Sequence, residues 1–265
     1  MKNDFIHPSA IISEKAIVGS NVTIGAYSVI GDNVIIEDDV EIMPHVCIDG
    51  YTIVGNGTKI FSFAAIGYRP QDLKYNGEKT QLIIGKNNSI REHVTMHPGT
   101  EGGAKETLVG DGNLFMVGVH IAHDCIIGSN IVMGNNATLG GHVRVDDDVI
   151  IGGLSAVHQW TRIGRSAIIG GMSGVERDVI PYGNVKGERA HLCGLNIVGL
   201  RRANIDRAEV DAIKKAYEVI FSKDDVLTSN LKTAEEMFRK SAYVAEIISF
   251  MKQKSDRSYC QPTHL

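Results

Sequence analysis

The sequence is poor in the features that mark several common classes of protein. Its 265 residues include only 6 prolines and 4 cysteines, and no two cysteines form a CxxC pair, so neither a disulfide scaffold nor a cysteine zinc site is indicated. The chain has no uncharged apolar run of about 18 residues and no apolar signal stretch at its N-terminus, so we expect no transmembrane segment and a cytoplasmic protein. Its 31 acidic residues outnumber 27 basic ones, which argues against general binding to nucleic acid.

Glycine, by contrast, is in excess, with 29 residues, and a period of six accounts for much of it. An apolar, mostly branched residue recurs at every sixth position, and the residue after it is often glycine. Because six matches neither the helical period nor the heptad, the pattern indicates a short strand followed by a corner at which glycine would adopt a positive φ. The series runs from Ile6 to Ile66, from Ile84 to Met96 and from Val109 to Val175.

Strands this short cannot bury an apolar face alone, so successive coils must stack, and the hexapeptide period is typical of a parallel β-helix. Two gaps interrupt the six-residue phase of the aliphatic positions. If the coils continue through them, the gaps correspond to inserts of 12 and 7 residues, centred on Pro70–Gly77 and Gly99–Gly103. Loops that leave a rigid solenoid often line a binding face, which makes both inserts candidates for a site.

The repeat fades after Pro181, and helical patterns follow it. Asp206–Glu209 reads as a capping box, with helical spacing from Val210 to Ile220 and a second helical stretch from Leu231 to Met251. These helices could cover the open end of the solenoid, and we expect a loose end at Ser258–Leu265.

The predicted fold is therefore mainly β, with two domains. A parallel β-helix occupies residues 1–190, with loops near 68–81 and 98–106. A C-terminal α-helical domain occupies residues 191–265.

Six of the ten histidines fall in the middle third of the chain, and five of them are grouped around His120–Asp124: His97, His120, His123, His142 and His158. If three blocks of six form one coil, residues 18 apart stack in a column at a spacing of ~4.8 Å. The column through His123 continues with Gly141 and Gln159, which predicts a slot for a ligand beside the free N–H of Gly141. The neighbouring column contains Asp124, His142 and Trp160.

Several chemistries are compatible with this cluster. A Ser-His-Asp triad is poorly supported because no GxSxG motif occurs, and no carboxylate–histidine–cysteine spacing supports zinc. A general base needs only reach and a suitable pKa, so we predict that a histidine of this cluster has that role and that no metal is bound. Asp124 follows His123 directly and is a candidate to orient it, although strand alternation would direct neighbouring side chains to opposite sides.

Eight short motifs are shared with a known family. They are Ile6–Ile11, Gln71–Tyr75, His120–Cys125, Asn135–Leu139, Gly141–Val143, Ala156–Gln159, Gly194–Ile197 and Gly199–Arg202. Together with the helical tail they closely resemble the UDP-N-acetylglucosamine O-acyltransferases, and the resemblance covers essentially the whole chain.

This resemblance implies a left-handed β-helix, an exception to the usual right-handed crossover, in a homotrimer with active sites between subunits. It also implies transfer of an (R)-3-hydroxyacyl chain to the glucosamine 3-hydroxyl of UDP-N-acetylglucosamine, the first step of lipid A biosynthesis. The donor would be carried on the phosphopantetheine of acyl carrier protein, and the enzyme itself would bind no cofactor.

The resemblance also implies residue roles. His123 would be the base and Gly141 N–H the oxyanion donor, while Gly171 would limit acyl length. Contacts to the substrate would come from Gln71, Asp72, Lys74, His97, His120, His142, Gln159, Asn196 and Arg202.

Three positions depart from the family pattern. Val198 replaces a glutamate that contacts the nucleotide in relatives, Ala203 replaces the second arginine of a pair, and Arg189 replaces a histidine at the far end of the acyl groove. The family's nucleotide contacts and acyl length can therefore be carried over to this chain less directly than the role of its base.

Three other functions remain open from the sequence. The N-acyltransferase of the same pathway shares the scaffold but carries a domain before its solenoid, whereas here the repeat begins at Ile6. A noncatalytic scaffold or a zinc enzyme could use the same repeat. The acceptor could also be the amine of a 3-amino sugar rather than a hydroxyl.

Overall fold

The structure is a computed structural model that describes residues 5–263. The solenoid consists of short strands, most of them two residues long, that contribute in turn to three sheets. The first sheet has eleven strands: β1 (Phe5–Ile6), β4 (Thr23–Ile24), β7 (Glu41–Ile42), β10 (Lys59–Ile60), β13 (Ser89–Ile90), β16 (Leu114–Phe115), β19 (Val132–Met133), β22 (Ile150–Ile151), β25 (Ile168–Ile169), β27 (Gly183–Lys186) and β28 (His191–Leu195).

The other two sheets complete each coil. The second sheet has nine strands: β2 (Ile11–Ile12), β5 (Val29–Ile30), β8 (Cys47–Ile48), β11 (Ala65–Ile66), β14 (Thr95–Met96), β17 (His120–Ile121), β20 (Thr138–Leu139), β23 (Ala156–Val157) and β26 (Gly174–Val175). The third sheet has eight: β3 (Ile17–Val18), β6 (Ile35–Ile36), β9 (Tyr51–Val54), β12 (Gln81–Ile84), β15 (Glu106–Val109), β18 (Ile126–Ile127), β21 (Arg144–Val145) and β24 (Arg162–Ile163).

The register confirms the coil of three blocks and both inserts. Ile6 pairs in parallel with Ile24, three blocks further along the chain. Val54 pairs with Ile84, and Ile84 in turn pairs with Val109, so these two coils are longer than the others by the two inserts that the phase predicts. Both inserts leave the solenoid at the same corner, between the second and third sheets.

The repeating aliphatic residues form the core from the second coil onward. Ile24, Ile30 and Ile36 are at most 1% exposed, whereas Ile6, in the first coil of the described residues, is 43% exposed. The prediction of one buried residue per six was incomplete. A second buried position, four residues after the first, holds residues such as Val22 and Val40, and it adds to the apolar area buried per coil.

The expectation that the glycine after each aliphatic adopts a positive φ is wrong, except at Gly67. The left-handed residues lie two positions later, as at Tyr27 and Asp39. The glycines are needed for a different reason, because the next coil's backbone approaches too closely for a side chain. A Cβ on Gly134 would lie 2.5 Å from the Gly153 nitrogen.

The C-terminal part of the described chain contains four helices: α1 (Ile197–Arg202), α2 (Arg207–Ile220), α3 (Leu227–Met237) and α4 (Ala242–Lys252). Asp206 caps α2 as predicted and accepts a hydrogen bond from Ala208 N. The second helical stretch is in fact two helices, because Ser241 caps a new helix and accepts a hydrogen bond from Val244 N. None of the helices within residues 5–263 is long and apolar enough to cross a bilayer.

The helices pack on the last coils through polar links. Arg165 forms a bidentate ion pair with Glu246 of α4, with distances of 2.9 Å from both Nε and Nη2.

The prediction of a loose end at 258–265 is wrong for residues 258–263. Tyr259 forms a β-bridge with Asp178, and Cys260 is 1% exposed. Residues 264 and 265 lie outside the described part. The domain boundary at 190/191 stays a prediction, although it falls between β27 and β28, which pair with each other.

Candidate active site

His123 lies at the corner between the second and third sheets, two residues beyond β17. Its Nδ1 is 2.8 Å from Asp124 Oδ2, and both side chains are buried. Because a carboxylate only accepts, this contact places the imidazole proton on Nδ1 and leaves Nε2 with a lone pair. Strand alternation does not separate the two side chains, since Asp124 has a left-handed backbone (φ 59°) rather than an extended one.

The Asp124 carboxylate is fully hydrogen-bonded. Oδ1 accepts from Thr100 N at 3.0 Å and Ala104 N at 2.9 Å, and Oδ2 accepts from the Thr100 hydroxyl at 2.7 Å as well as from His123. Burial alone raises the pKa of Asp124, but the hydrogen bonds from His123 and Thr100 outweigh it and keep the pKa below 3.8. Asp124 is therefore ionised at neutral pH.

Gly141 lies directly against the His123 ring. A Cβ at Gly141 would be 2.7 Å from His123 Nε2 and 2.5 Å from Cε1, so any side chain here would collide with the imidazole. Within residues 5–263, the buried Gly141 N–H donates no hydrogen bond, whereas Gly140 N donates to Val157 O at 2.9 Å. A buried residue with an unpaired N–H, packed against a histidine ring, is suited to bind an oxygen atom of a ligand.

His142 is the next histidine of the cluster, and its ring meets His123 edge-on at 5.0 Å. The Trp160 indole stacks on the His142 ring, with centroids 3.7 Å apart and planes 6° apart. Burial lowers the pKa of His142 below 6.5, against the opposing charges of Asp124 and Asp72. His142 is thus mainly neutral at pH 7 and can donate from one nitrogen and accept at the other.

His97 and His120 form a second pair, with ring centroids 5.3 Å apart. His97 Nδ1 donates to Tyr68 O at 2.9 Å, while its Nε2 is buried and has no partner in the described chain. His120 Nδ1 contacts the Thr95 hydroxyl at 2.8 Å. Burial and the nearby His97 and His123 lower the pKa of His120 to about 4, so His120 is a neutral hydrogen-bonding group.

The first insert brings its polar residues to the same corner. Asp72 lies close enough to influence the pKa of His142, and its Oδ1 accepts from Lys74 N at 3.0 Å. Gln71 and the Lys74 side chain are exposed. Leu73, between them, is also fully exposed.

Four of the predicted site residues are exposed, lie at another corner or have a structural role within a single chain. Gln159 is exposed in the His123 column, and its carbonyl accepts from Arg257 Nε at 3.0 Å. Gly171 lies at a different corner, after β25, between the first and second sheets. Asn196 has a structural role. Its side chain accepts a hydrogen bond from Gly199 N as the cap of α1 and donates one to Ser166 O at the third corner. Arg202 is exposed at the end of α1.

Three residues of this region were not predicted. Trp160 was placed in the right column, but its stacking on His142 was not foreseen, although an aromatic residue one coil after a histidine is a usable signal. Thr100 was hidden within a glycine-rich insert and carries no sequence signal. Arg257 Nη2 contacts His158 Nδ1 at 2.7 Å, a contact across 99 residues that no local pattern reveals.

The cluster could perform acid–base chemistry or hold a metal ion. His123, Asp124 and His142 each offer a ligand atom, and these atoms lie within 4.8 Å of one another. A cation on Asp124 Oδ2 would replace the proton that His123 donates there. As folded, the pair presents His123 Nε2 as a proton acceptor, and the adjacent Gly141 has an unpaired N–H that could serve as a donor for a developing negative charge.

Two family models match the chain. The model of bacterial transferase hexapeptide repeats matches residues 106–141, and a model described as UDP N-acetylglucosamine O-acyltransferase, domain 2, matches residues 178–260.

Relatives match over nearly the full length. Proteins named acyl-(acyl-carrier-protein)–UDP-N-acetylglucosamine O-acyltransferase share 43% identity in Rhizobium etli (97% of this chain, 95% of the relative) and 46% in Caulobacter vibrioides (97% and 98%). A crystal structure titled UDP-N-acetylglucosamine acyltransferase superimposes with a TM-score of 0.94 at 43% identity, covering 97% of this chain and 99% of that one. The Francisella novicida enzyme gives 0.94 at 35%, covering 98% and 95%. These matches confirm the predicted left-handed parallel β-helix with a C-terminal helical domain.

Proposed function

Because the chain belongs to the UDP-N-acetylglucosamine O-acyltransferase family, we propose that His123 is the general base with which it acylates the glucosamine 3-hydroxyl of UDP-N-acetylglucosamine. The protein is an acyl-(acyl-carrier-protein)–UDP-N-acetylglucosamine O-acyltransferase, and the reaction opens lipid A biosynthesis. The observation that carries the proposal is the buried His123–Asp124 pair, whose ring with its free Nε2 packs against Gly141, a residue whose own N–H is unpaired within the described chain.

The proton transfers follow from the tautomer of His123. With Nδ1–H held by Asp124, Nε2 takes the proton of the 3-hydroxyl as its oxygen attacks the thioester carbonyl carbon. The ionised Asp124 stabilises the imidazolium that results. When the carbon–sulfur bond breaks, the imidazolium returns the proton to the thiolate of the phosphopantetheine arm, so base and carboxylate end as they began.

The Gly141 N–H is the donor for the oxyanion. The thioester oxygen gains negative charge during attack, and a preorganised backbone donor in a buried site is worth about 100- to 1,000-fold in rate. Gly141 N–H is buried and unpaired within the described chain, so no internal bond has to break when the oxyanion forms.

The neutral histidines and the first insert would bind the sugar and the start of the acyl chain. His120 and His142 have lowered pKa values and can hydrogen-bond to hydroxyls without introducing charge. The buried, unpaired Nε2 of His97 is an acceptor that the fold leaves to a ligand. Gln71, Asp72, Lys74 and Gln159 complete the polar lining in this proposal.

The remaining predicted residues require more than one chain if all of them serve one site. His123, Gly171 and Asn196 lie at three different corners of the solenoid. A homotrimer with parallel axes would bring the His123 corner of one subunit to another corner of its neighbour, where Arg202 and Asn196 could meet the diphosphate end. Gly171 has only Gly153 backbone near an added Cβ, with the oxygen at 3.3 Å, so we expect room for a chain at the longer end of the usual range.

The test is acyl transfer by the purified protein with (R)-3-hydroxyacyl donors of several lengths on acyl carrier protein, and with no added cofactor. The acceptors are UDP-N-acetylglucosamine, its 3-amino analogue and a 3-O-acylated glucosamine, which separate O-acylation from the two N-acylations.

The matched variants are His123→Ala and His7→Ala. We expect His123→Ala to lose about 100- to 10,000-fold in kcat with an unchanged sedimentation profile, and His7→Ala, at the far end of the solenoid, to keep full activity. Substantial activity in His123→Ala would refute the role of His123 as the base. A preference for the amine acceptor would refute the 3-hydroxyl as the group that is acylated.

A further inference from the structure

The second insert is built around the Asp124 carboxylate. Residues 97–105 leave the solenoid between β14 and β15 and return over Asp124, to which Thr100 and Ala104 supply three hydrogen bonds of 2.7–3.0 Å. Gly103 permits this approach, since a Cβ there would lie 2.2 Å from Asp124 Oδ1. The lack of a side chain at Gly103 is therefore explained by contact with this carboxylate.

The two oxygens of Asp124 accept hydrogen bonds from different groups. Oδ1 receives two backbone N–H groups, which anchor the carboxylate to the insert. Oδ2 receives the Thr100 hydroxyl and His123 Nδ1. Thr100 is 4% exposed, so water cannot readily replace its hydroxyl.

A second histidine competes for the same oxygen. His142 Nε2 is 3.9 Å from Asp124 Oδ2, and a modest rotation of the carboxylate would bring the two within hydrogen-bond distance. The Thr100 hydroxyl opposes that rotation, since its 2.7 Å hydrogen bond to Oδ2 is formed in the orientation in which Oδ2 also accepts from His123.

We propose that Thr100 of the second insert is a positioning residue that holds Asp124 toward His123 and away from His142, so that His123 keeps its proton on Nδ1 and a lone pair on Nε2. Thr100 does not touch the reacting atoms and acts through Asp124. The inference rests on His123 as the base, as proposed above.

The test compares Thr100→Val, which removes only the hydroxyl, with Thr100→Ser, which restores it. Thr161→Val is the matched control, because Thr161 is fully buried and its hydroxyl has no partner within residues 5–263. We expect Thr100→Val to lower kcat by about 10-fold or more with little change in KM, since it removes a hydrogen bond to a charged group. Thr100→Ser should recover most of the loss, and Thr161→Val should change neither constant.

A second readout is independent of turnover. The His123 Nδ1 proton, held by a buried carboxylate, should give a downfield imidazole resonance in proton NMR, assigned by its absence in His123→Ala. We expect the resonance to weaken or shift in Thr100→Val and to return in Thr100→Ser. If Thr100→Val keeps both the resonance and kcat while His123→Ala is inactive, the positioning role is refuted and the base stands; if His123→Ala remains active, the base itself is refuted.

Discussion

The backbone conformation of Asp124 determines how the histidine before it can act. The sequence placed His123 and Asp124 in adjacent columns, but an extended backbone would have separated their side chains. The left-handed conformation at the third residue after each core aliphatic brings them together, and the same conformation recurs at His142 (φ 63°) and Trp160 (φ 66°). This position could be inferred from the period, yet its φ depends on the corner geometry of the coil.

Gly141 is the residue at which the smallest change should have the largest effect. We expect Gly141→Ala to fold, because its φ is not left-handed, but its methyl group would lie 2.5–2.7 Å from the His123 ring and force the imidazole away from Asp124. Activity should fall at least about 100-fold. Steady-state kinetics and far-UV circular dichroism check this, with Gly102→Ala as the control, since a Cβ there meets nothing within 4 Å. Full activity in Gly141→Ala would contradict the packing described here.

Trp160 provides a spectroscopic report on His142, because it is the only tryptophan in the chain. A protonated imidazole stacked at 3.7 Å should quench the indole emission. Since burial lowers the pKa of His142 below 6.5, emission should fall with a midpoint below pH 6.5. The unfolded chain binds this proton first, so the contribution of neutral His142 to stability is present above pH 6.5 and is lost as pH falls toward the lowered pKa.

Fluorescence titration of the folded protein measures this midpoint, and His142→Gln serves as the control that removes the transition. A midpoint above pH 6.5 would show that Asp124 and Asp72 outweigh burial.

At the scale of elements, counting residues predicted the inserts well and the C-terminal segment poorly. The lengths of 12 and 7 follow from the phase, because the coils on both sides must keep their register. The break between α3 and α4 was missed because apolar residues continue through Met237 and Phe238. The ordered end was also missed, since Cys260 and Tyr259 are held by residues far earlier in the chain, such as Arg177 and Asp178.

Asp178 is the buried link that joins the last coil to the C-terminal segment. It is fully buried, forms an ion pair with Arg162 at 2.8 Å and accepts from the Ser255 hydroxyl at 2.6 Å. Asp178→Ala would leave the mostly buried Arg162 without its partner, so the free energy of unfolding should fall by about 3–5 kcal/mol. Denaturant unfolding at a fixed protein concentration measures this. Asp32→Ala, which breaks the solvent-exposed pair with Lys15, should have a much smaller effect, and an equal effect of both changes would contradict a structural role for Asp178.

At the scale of the whole molecule, the predicted site residues are distributed over three corners. His123, Gly141 and the inserts share one corner, whereas Gly171 and Asn196 lie at the other two. A solenoid with a packed core cannot bring its corners together, so one site that uses all of them needs neighbouring copies of the chain.

Mixed assemblies test this arrangement. We expect His123→Ala and Arg202→Ala each to be poorly active alone. Co-expressed at equal levels in a cyclic trimer, they should recover about one quarter of the wild-type activity, because any mixed trimer contains one site with both residues intact. No recovery, with mixed trimers verified by differential tagging and sedimentation, would place both residues in one chain's site.

Four features follow from the amino-acid sequence alone: the period, the register of the coils, the lengths of the inserts and the column that stacks His123 on Gly141. They do so because each of them depends on local repetition, in which residues one coil apart must be neighbours. Three contacts became known from the folded chain: Thr100 binds Asp124, Trp160 stacks on His142, and Arg257 contacts His158. Those contacts join segments outside the repeat, or depend on left-handed corners, and their geometry is set by packing and hydrogen bonding across the whole fold rather than by spacing.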